Sequence, residues 1–116
     1  MHEAALARRI LAAALEGAGR SGAARIRVVR GWVAETEALS AESLALHFQA
    51  HAIGTAAEGA ALEMRLIHLD AKCAACGRTY ATDHHVPACP TCGSMDASLV
   101  GEPGIRLETL EVEDAT

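Results

Sequence analysis

Four cysteines carry the most definite chemistry in this chain: Cys73, Cys76, Cys89 and Cys92. They stand as Cys73-Ala-Ala-Cys76-Gly77 and, twelve residues later, Cys89-Pro90-Thr91-Cys92-Gly93. Two residues between paired cysteines let both thiolates reach one ion, because the intervening turn aims the side chains inward. A glycine after each pair lets the backbone turn beneath the sulfurs, where a Cβ would crowd. Pro90 presets the φ of the second turn. Two such knuckles separated by a hairpin-length loop supply a tetrahedral four-thiolate shell, which is the composition of a structural zinc ribbon. Two disulfides are the competing assignment. They suit an exported chain, whereas this one has no secretory signal and no further cysteine, and is expected in the cytoplasm. A rubredoxin-like iron centre would use the same ligands, and visible colour separates it from zinc.

A second metal chemistry lies at the amino terminus, Met1-His2-Glu3. With Met1 retained, the terminal amine, the His2 amide nitrogen and the His2 imidazole close fused chelate rings on one ion. The Glu3 amide nitrogen or another donor completes a square. Such nitrogen-rich planar geometry suits nickel(II) or copper(II) rather than zinc. The remaining histidines have plainer readings. His84-His85 falls in the loop between the knuckles and reads as solvated loop, or as a histidine that approaches the amino-terminal metal or swaps with a cysteine, coupling the two metal sites. His47 and His51, four apart on a helix, have chelating spacing but no evident third ligand. His68 reads as a packing or hydrogen-bonding residue.

These groups must be positioned by the elements around them. Leu6, Ile10, Ala13, Ala14 and Gly17 recur at helical spacing, which predicts a helix over 3–20 with a stop at Gly19 to Gly22. Residues 25–33 read as a strand, with Ile26, Val28 and Trp32 set against Arg25, Arg27 and Val29. Ser40 is the N-cap of a second helix over 41–53, closed by Gly54. That helix carries two apolar stripes, Leu44–Phe48–Ala52 and Leu46–Ala50–Ile53. Residues 61–69 alternate again as a second strand, and 105–112 form a third. In that last strand the apolar positions change parity between Leu107 and Leu110, which signals a bulge or twist. The expected fold is α+β, two helices on a three-stranded sheet with an inserted zinc ribbon. The expected division is 1–70 plus 101–116 for the α/β domain and 71–100 for the ribbon.

Composition bounds the partners. The chain has 116 residues and a net charge of −5, so it makes one domain, or one with an appendage. The ribbon stretch is nearly devoid of large apolar side chains, which makes metal its core. No run approaches the roughly eighteen apolar residues of a membrane span. Lys72 is the one lysine, and no basic cluster exists beyond Arg25, Arg27 and Arg30, which argues against nucleic acid. No nucleophile–base set stands out, and no phosphate-binding glycine loop is present.

Taken together, Met1-His2-Glu3 opening a helix, two strands with a helix between, the paired Cys-x2-Cys knuckles and the closing strand 105–112 resemble the HypA family, the nickel metallochaperones of nickel–iron hydrogenase maturation. The resemblance covers the whole chain, including Gly54-Thr55 and 58–62 between the second helix and second strand. It departs at Ala4-Ala5, where the family often has an apolar residue and then serine, and at Val33-Ala34-Glu35, where it often has Ile-Gly-Glu. Neither departure touches a metal ligand. The resemblance implies that His2 is the essential nickel ligand, joined by the Met1 amine, nearby amide nitrogens and Glu3. It implies structural zinc on Cys73, Cys76, Cys89 and Cys92, with nickel as cargo. The implied partners are a nickel-handling maturation GTPase and the precursor of the hydrogenase large subunit. It also implies a carrier that turns over nothing itself. The rival reading is a zinc-ribbon adaptor that binds protein or nucleic acid without a second metal.

Overall fold

A computed structural model of the chain describes residues 2–35, 39–81 and 88–114. Met1, the side chain of His2, His84 and His85 lie outside the described residues. Two helices and six strands follow in the order α1 (His2–Ser21), β1 (Ala23–Glu35), α2 (Ala41–Ala52), β2 (Ala61–His68), β3 (Asp70–Cys73), β4 (Thr79–Ala81), β5 (Ala97–Leu99) and β6 (Gly104–Asp114). They form two compact units. One comprises Met1–Trp32, Leu39–Arg65 and Ile105–Thr116, the other Val33–Ala38 and Leu66–Gly104.

The first unit is the expected pair of helices on a three-stranded sheet, ordered β2-β1-β6. Moving up β1, the partners of Ile26 and Arg30 are Ala56 and Glu63. The numbers rise together, so β1 and β2 run parallel, and α2 is the crossover such a pair requires. On the other side Arg27 meets Glu113 and Gly31 lies against Arg106, so β6 runs antiparallel. Leu6, Ile10, Ile26, Val29, Leu44 and Phe48 are fully buried and form the centre of the packing. Ser40 caps α2 as expected, its hydroxyl accepting from the Ser43 N–H at 3.1 Å. Gly54 follows the helix in the left-handed region, at φ 82.

The alternation of β1 differs from the expected one. Ile26 faces inward, but the other buried positions are Val29, Gly31, Val33 and Ala34, while Val28 and Trp32 are half-buried. The inward parity shifts by one between Ile26 and Val29, which is what an extra residue in a strand produces. In β6 the expected change is present. Ile105, Leu107 and Leu110 are the half-buried apolar positions, while Glu108, Glu111 and Glu113 turn outward to arginines. That outer face is a charge ladder: Arg65–Glu108 at 2.9 Å, Arg30–Glu63 at 2.7 Å, Arg30–Glu111, and Arg27–Glu113 at 3.6 Å. Two arginines of the only basic cluster are thus paired with carboxylates. Only one of the two apolar stripes of α2 is core. Leu44, Phe48 and Ala52 are buried, whereas Leu46 and Ile53 are 60% and 71% exposed.

β1 and β6 approach closely at Gly31. A Cβ there would sit 2.0 Å from the carbonyl oxygen of Arg106. At Gly17 it would sit 3.0 Å from Leu110 Cδ1, the end of a flexible side chain. Gly31→Ala is therefore expected to cost about 1–3 kcal/mol, because backbone must move. Gly17→Ala should lie within about 1 kcal/mol of the parent, since helix propensity offsets the contact. Urea unfolding of both variants checks this contrast.

Candidate metal centre

The second unit contains a small sheet ordered β4-β3-β5. The central strand pairs antiparallel on both sides, Ala71 facing Tyr80 on β4 and Leu99 on β5. Its last residue, Cys73, opens the first knuckle. The two knuckles have the same backbone wiring. Cys73 N–H donates to the Arg78 carbonyl at 2.9 Å, and Cys89 N–H donates to Ser94 at 2.9 Å. Gly77 N–H returns to the Cys73 carbonyl at 2.9 Å, and Gly93 N–H to Cys89 at 2.8 Å. The returning glycines adopt φ 76 and φ 75, which a Cβ would strain.

This wiring brings the four sulfurs together. All four Sγ atoms lie within 4.8 Å of one another. Cys73 and Cys92 are 3.6 Å apart and Cys76 and Cys89 3.7 Å, so neither pair is a disulfide. A tetrahedron with zinc–sulfur bonds of about 2.3 Å has edges of about 3.8 Å. The donor set therefore fits zinc in both chemistry and spacing. Cys73 and Cys89 are buried, Cys76 and Cys92 exposed. Ala71, Tyr80 and the two buried cysteines make a small apolar cluster.

Without a cation the thiols cannot all ionise. Amide hydrogen bonds, that from Cys92 first, draw Cys89 down to about 6, and the Cys76 amide likewise lowers Cys73. At Cys92 the Ser94 amide favours the thiolate, but hydrogen bonding with Cys73 and the other sulfurs outweighs it and pushes the thiol up to about 11. Burial, and then the neighbouring thiolates, raise the Tyr80 phenol. Spacing alone does not mark Tyr80 as part of this site. The signal available was the Thr79-Tyr80-Ala81 alternation, which turns the only aromatic ring of the ribbon inward.

The other candidate ligands fall differently. Glu3 lies in the first turn of α1, and its carboxylate accepts from the Ser40 N–H at 3.2 Å, at the start of α2. His47 and His51 are half-buried on α2, and the four cysteines are the one group of three or more metal-binding side chains among the described residues. His68 Nδ1 sits 3.7 Å from Asp70 Oδ1 on the surface.

A four-thiolate ribbon and an α/β unit in one chain define a zinc-ribbon α+β protein. The family model for hydrogenase/urease nickel incorporation, metallochaperone, HypA, matches residues 1–112. The hydrogenase maturation factor HypA of Chlorobium limicola is 34% identical over 98% of this chain and 98% of that protein. That of Acidithiobacillus ferrooxidans is 31% identical over 97% of this chain and all of that protein. The solution structure of the nickel metallochaperone HypA from Helicobacter pylori has the same fold, with a TM-score of 0.61 over 97% of each chain at 18% identity. The chain belongs to the HypA family, the nickel-incorporation metallochaperones of hydrogenase maturation. No helix among the described residues is long and apolar enough to cross a membrane.

The metal centre has a defined acid limit. Protons compete with zinc for thiolates, and even the most acidic thiol, near 6, is protonated below that pH. Zinc is expected to stay bound at pH 7 and to leave with a midpoint below pH 6, because the bound cation holds the thiolates against protons. A chromophoric chelator titrated across pH 7 to 4 measures the release.

Proposed function

We propose that the chain carries one nickel(II) ion at its amino terminus and delivers it to the hydrogenase large-subunit precursor together with a nickel-handling GTPase. The proposed ligands are the Met1 amine, the amide nitrogens of His2 and Glu3, and the His2 imidazole. The Glu3 carboxylate is a possible further contributor. Zinc on Cys73, Cys76, Cys89 and Cys92 is structural in this reading.

One observation carries the proposal: α1 begins at His2. The first four N–H groups of a helix have no intrahelical acceptor. The His2 and Glu3 amides can therefore lose their protons to a metal without breaking a helical hydrogen bond. Their position at the start of a twenty-residue helix supplies a rigid base. The Glu3 carboxylate, by accepting from Ser40 N–H, ties the first turn of α1 to the start of α2. Nitrogen donors in a plane suit nickel(II), and both faces of that plane are open to a donor from the recipient. Transfer then proceeds by ligand exchange, the incoming donor binding before the outgoing one leaves. Because amide protons must be expelled, affinity falls steeply with acid.

Nickel titration of the zinc-loaded chain with an unmodified amino terminus, beside His2→Ala, tests this reading. The parent is expected to bind one nickel with a planar, diamagnetic spectrum, and the variant to lose that species. Equal binding by both, or by neither, would leave a zinc-ribbon adaptor without a second metal as the better account.

A further inference from the structure

Between α1 and β6 lies an open cleft of about 670 Å³ that the metal chemistry does not use. Its floor is apolar, built from Leu107 and Leu110 of β6 where Gly17 lets the strand come close to the helix. Val112, 37% exposed, continues the apolar surface along the strand. In the order β2-β1-β6 the strand has no neighbour on its outer side among the described residues, so the edge of an eleven-residue strand runs along the cleft. Two exposed cations, Arg9 and Arg20, line its helix side, while Glu108, which also lines it, is paired with Arg65 at 2.9 Å. Arg20 is held only by an exposed i,i+4 pair with Glu16 at 3.1 Å, a contact of small worth that an incoming carboxylate can replace. On a chain of net charge −5, this places positive charge at both ends of an apolar trough.

The spacing selects the occupant. Arg20 stands eleven positions after Arg9, about 16 Å along the helix at 1.5 Å per residue. An extended chain covers that distance in five to six steps of about 3.3 Å, and six put both end side chains on the same face. Side chains at alternate positions of such a segment would point at the floor, while its backbone pairs with β6. We propose that this cleft receives an extended segment of a partner protein, laid beside the edge of β6 with apolar residues on Leu107 and Leu110 and a carboxylate at each end on Arg9 and Arg20. The inference stands apart from the nickel reading, since none of its residues is a proposed ligand.

The probe is a synthetic peptide, acetylated and amidated, of sequence Glu-Thr-Val-Thr-Val-Thr-Glu, titrated into the zinc-loaded, nickel-free full chain and followed by amide NMR. Saturable shifts are expected along β6 and the Arg9–Gly17 stripe of α1. Arg9→Glu should weaken binding about tenfold, the size of a lost charge-assisted contact. Arg8→Glu makes the same charge change on an exposed residue outside the cleft, and should leave affinity within twofold. His2→Ala should bind the peptide as the parent does, whatever it does to nickel. The proposal is overturned if no saturable shift occurs, if the shifts lie elsewhere, or if Arg8→Glu weakens binding as much as Arg9→Glu. Equal binding of a lysine-ended peptide would also overturn it. So would concentration-dependent broadening of the same residues without peptide, which would make a second copy of the chain the occupant.

Discussion

Four sulfur atoms gathered within 4.8 Å cannot all be thiolates unless a cation sits among them. The second unit depends on that constraint. Backbone amides already favour the anion at Cys73 and Cys89, yet their success is what drives Cys92 up to about 11. The same amides that favour one thiolate therefore oppose the next. A divalent ion removes the repulsion at once and converts four competing acids into four ligands. The apolar cluster beside the sulfurs is small, consisting of Ala71, Tyr80 and two of the cysteines themselves, and the other buried apolar residues described in this unit are Val33, Ala34 and Leu69. With so small a core, metal binding and folding become one event.

The first unit rests on the opposite principle. Its interior is hydrocarbon from two helices and the inward side of a sheet, with Phe48, Leu6 and Ile10 at the centre. Its outer face is covered by arginine–glutamate pairs that are each half-exposed and individually weak. No metal is needed for this packing. That independence suits a chain whose first helix begins at the residue proposed to hold the cargo. The helix can be rigid whether nickel is present or absent, because it is fixed by burial along its length and by the Glu3–Ser40 contact at its start. A labile metal can then come and go without unfolding its carrier.

Much of this arrangement was legible from residue types. The knuckle spacing, the Ser40 cap, the limits of both helices to within one residue and the parity change in β6 follow from local chemistry, and each is present in the fold. Three features were not legible, for a common reason. The inward face of β1 shifts between Ile26 and Val29 because β1 is central, flanked by β2 and β6, and apolar residues on both sides of the strand make either parity acceptable locally. Leu46 and Ile53 are as apolar as Leu44 and Phe48. Which stripe of α2 is buried depends on where α1 lies, and that is a tertiary fact. The Glu3–Ser40 contact joins residues 37 positions apart, and no periodicity predicts it. The nickel site rests on a resemblance and on helix geometry, since Met1 and the His2 side chain lie outside the described residues.

The central claim is that one chain keeps two metals on chemically separate donor sets, sulfur for the resident ion and nitrogen for the cargo. X-ray absorption at the zinc and nickel edges of a single doubly loaded sample tests it most directly. The account predicts four sulfurs at about 2.3 Å around zinc and a sulfur-free, planar, nitrogen-dominated shell around nickel. Sulfur in the nickel shell, or fewer than four sulfurs at zinc once nickel is bound, would mean that the ribbon cysteines share the cargo, and the separation argued from the fold would be wrong.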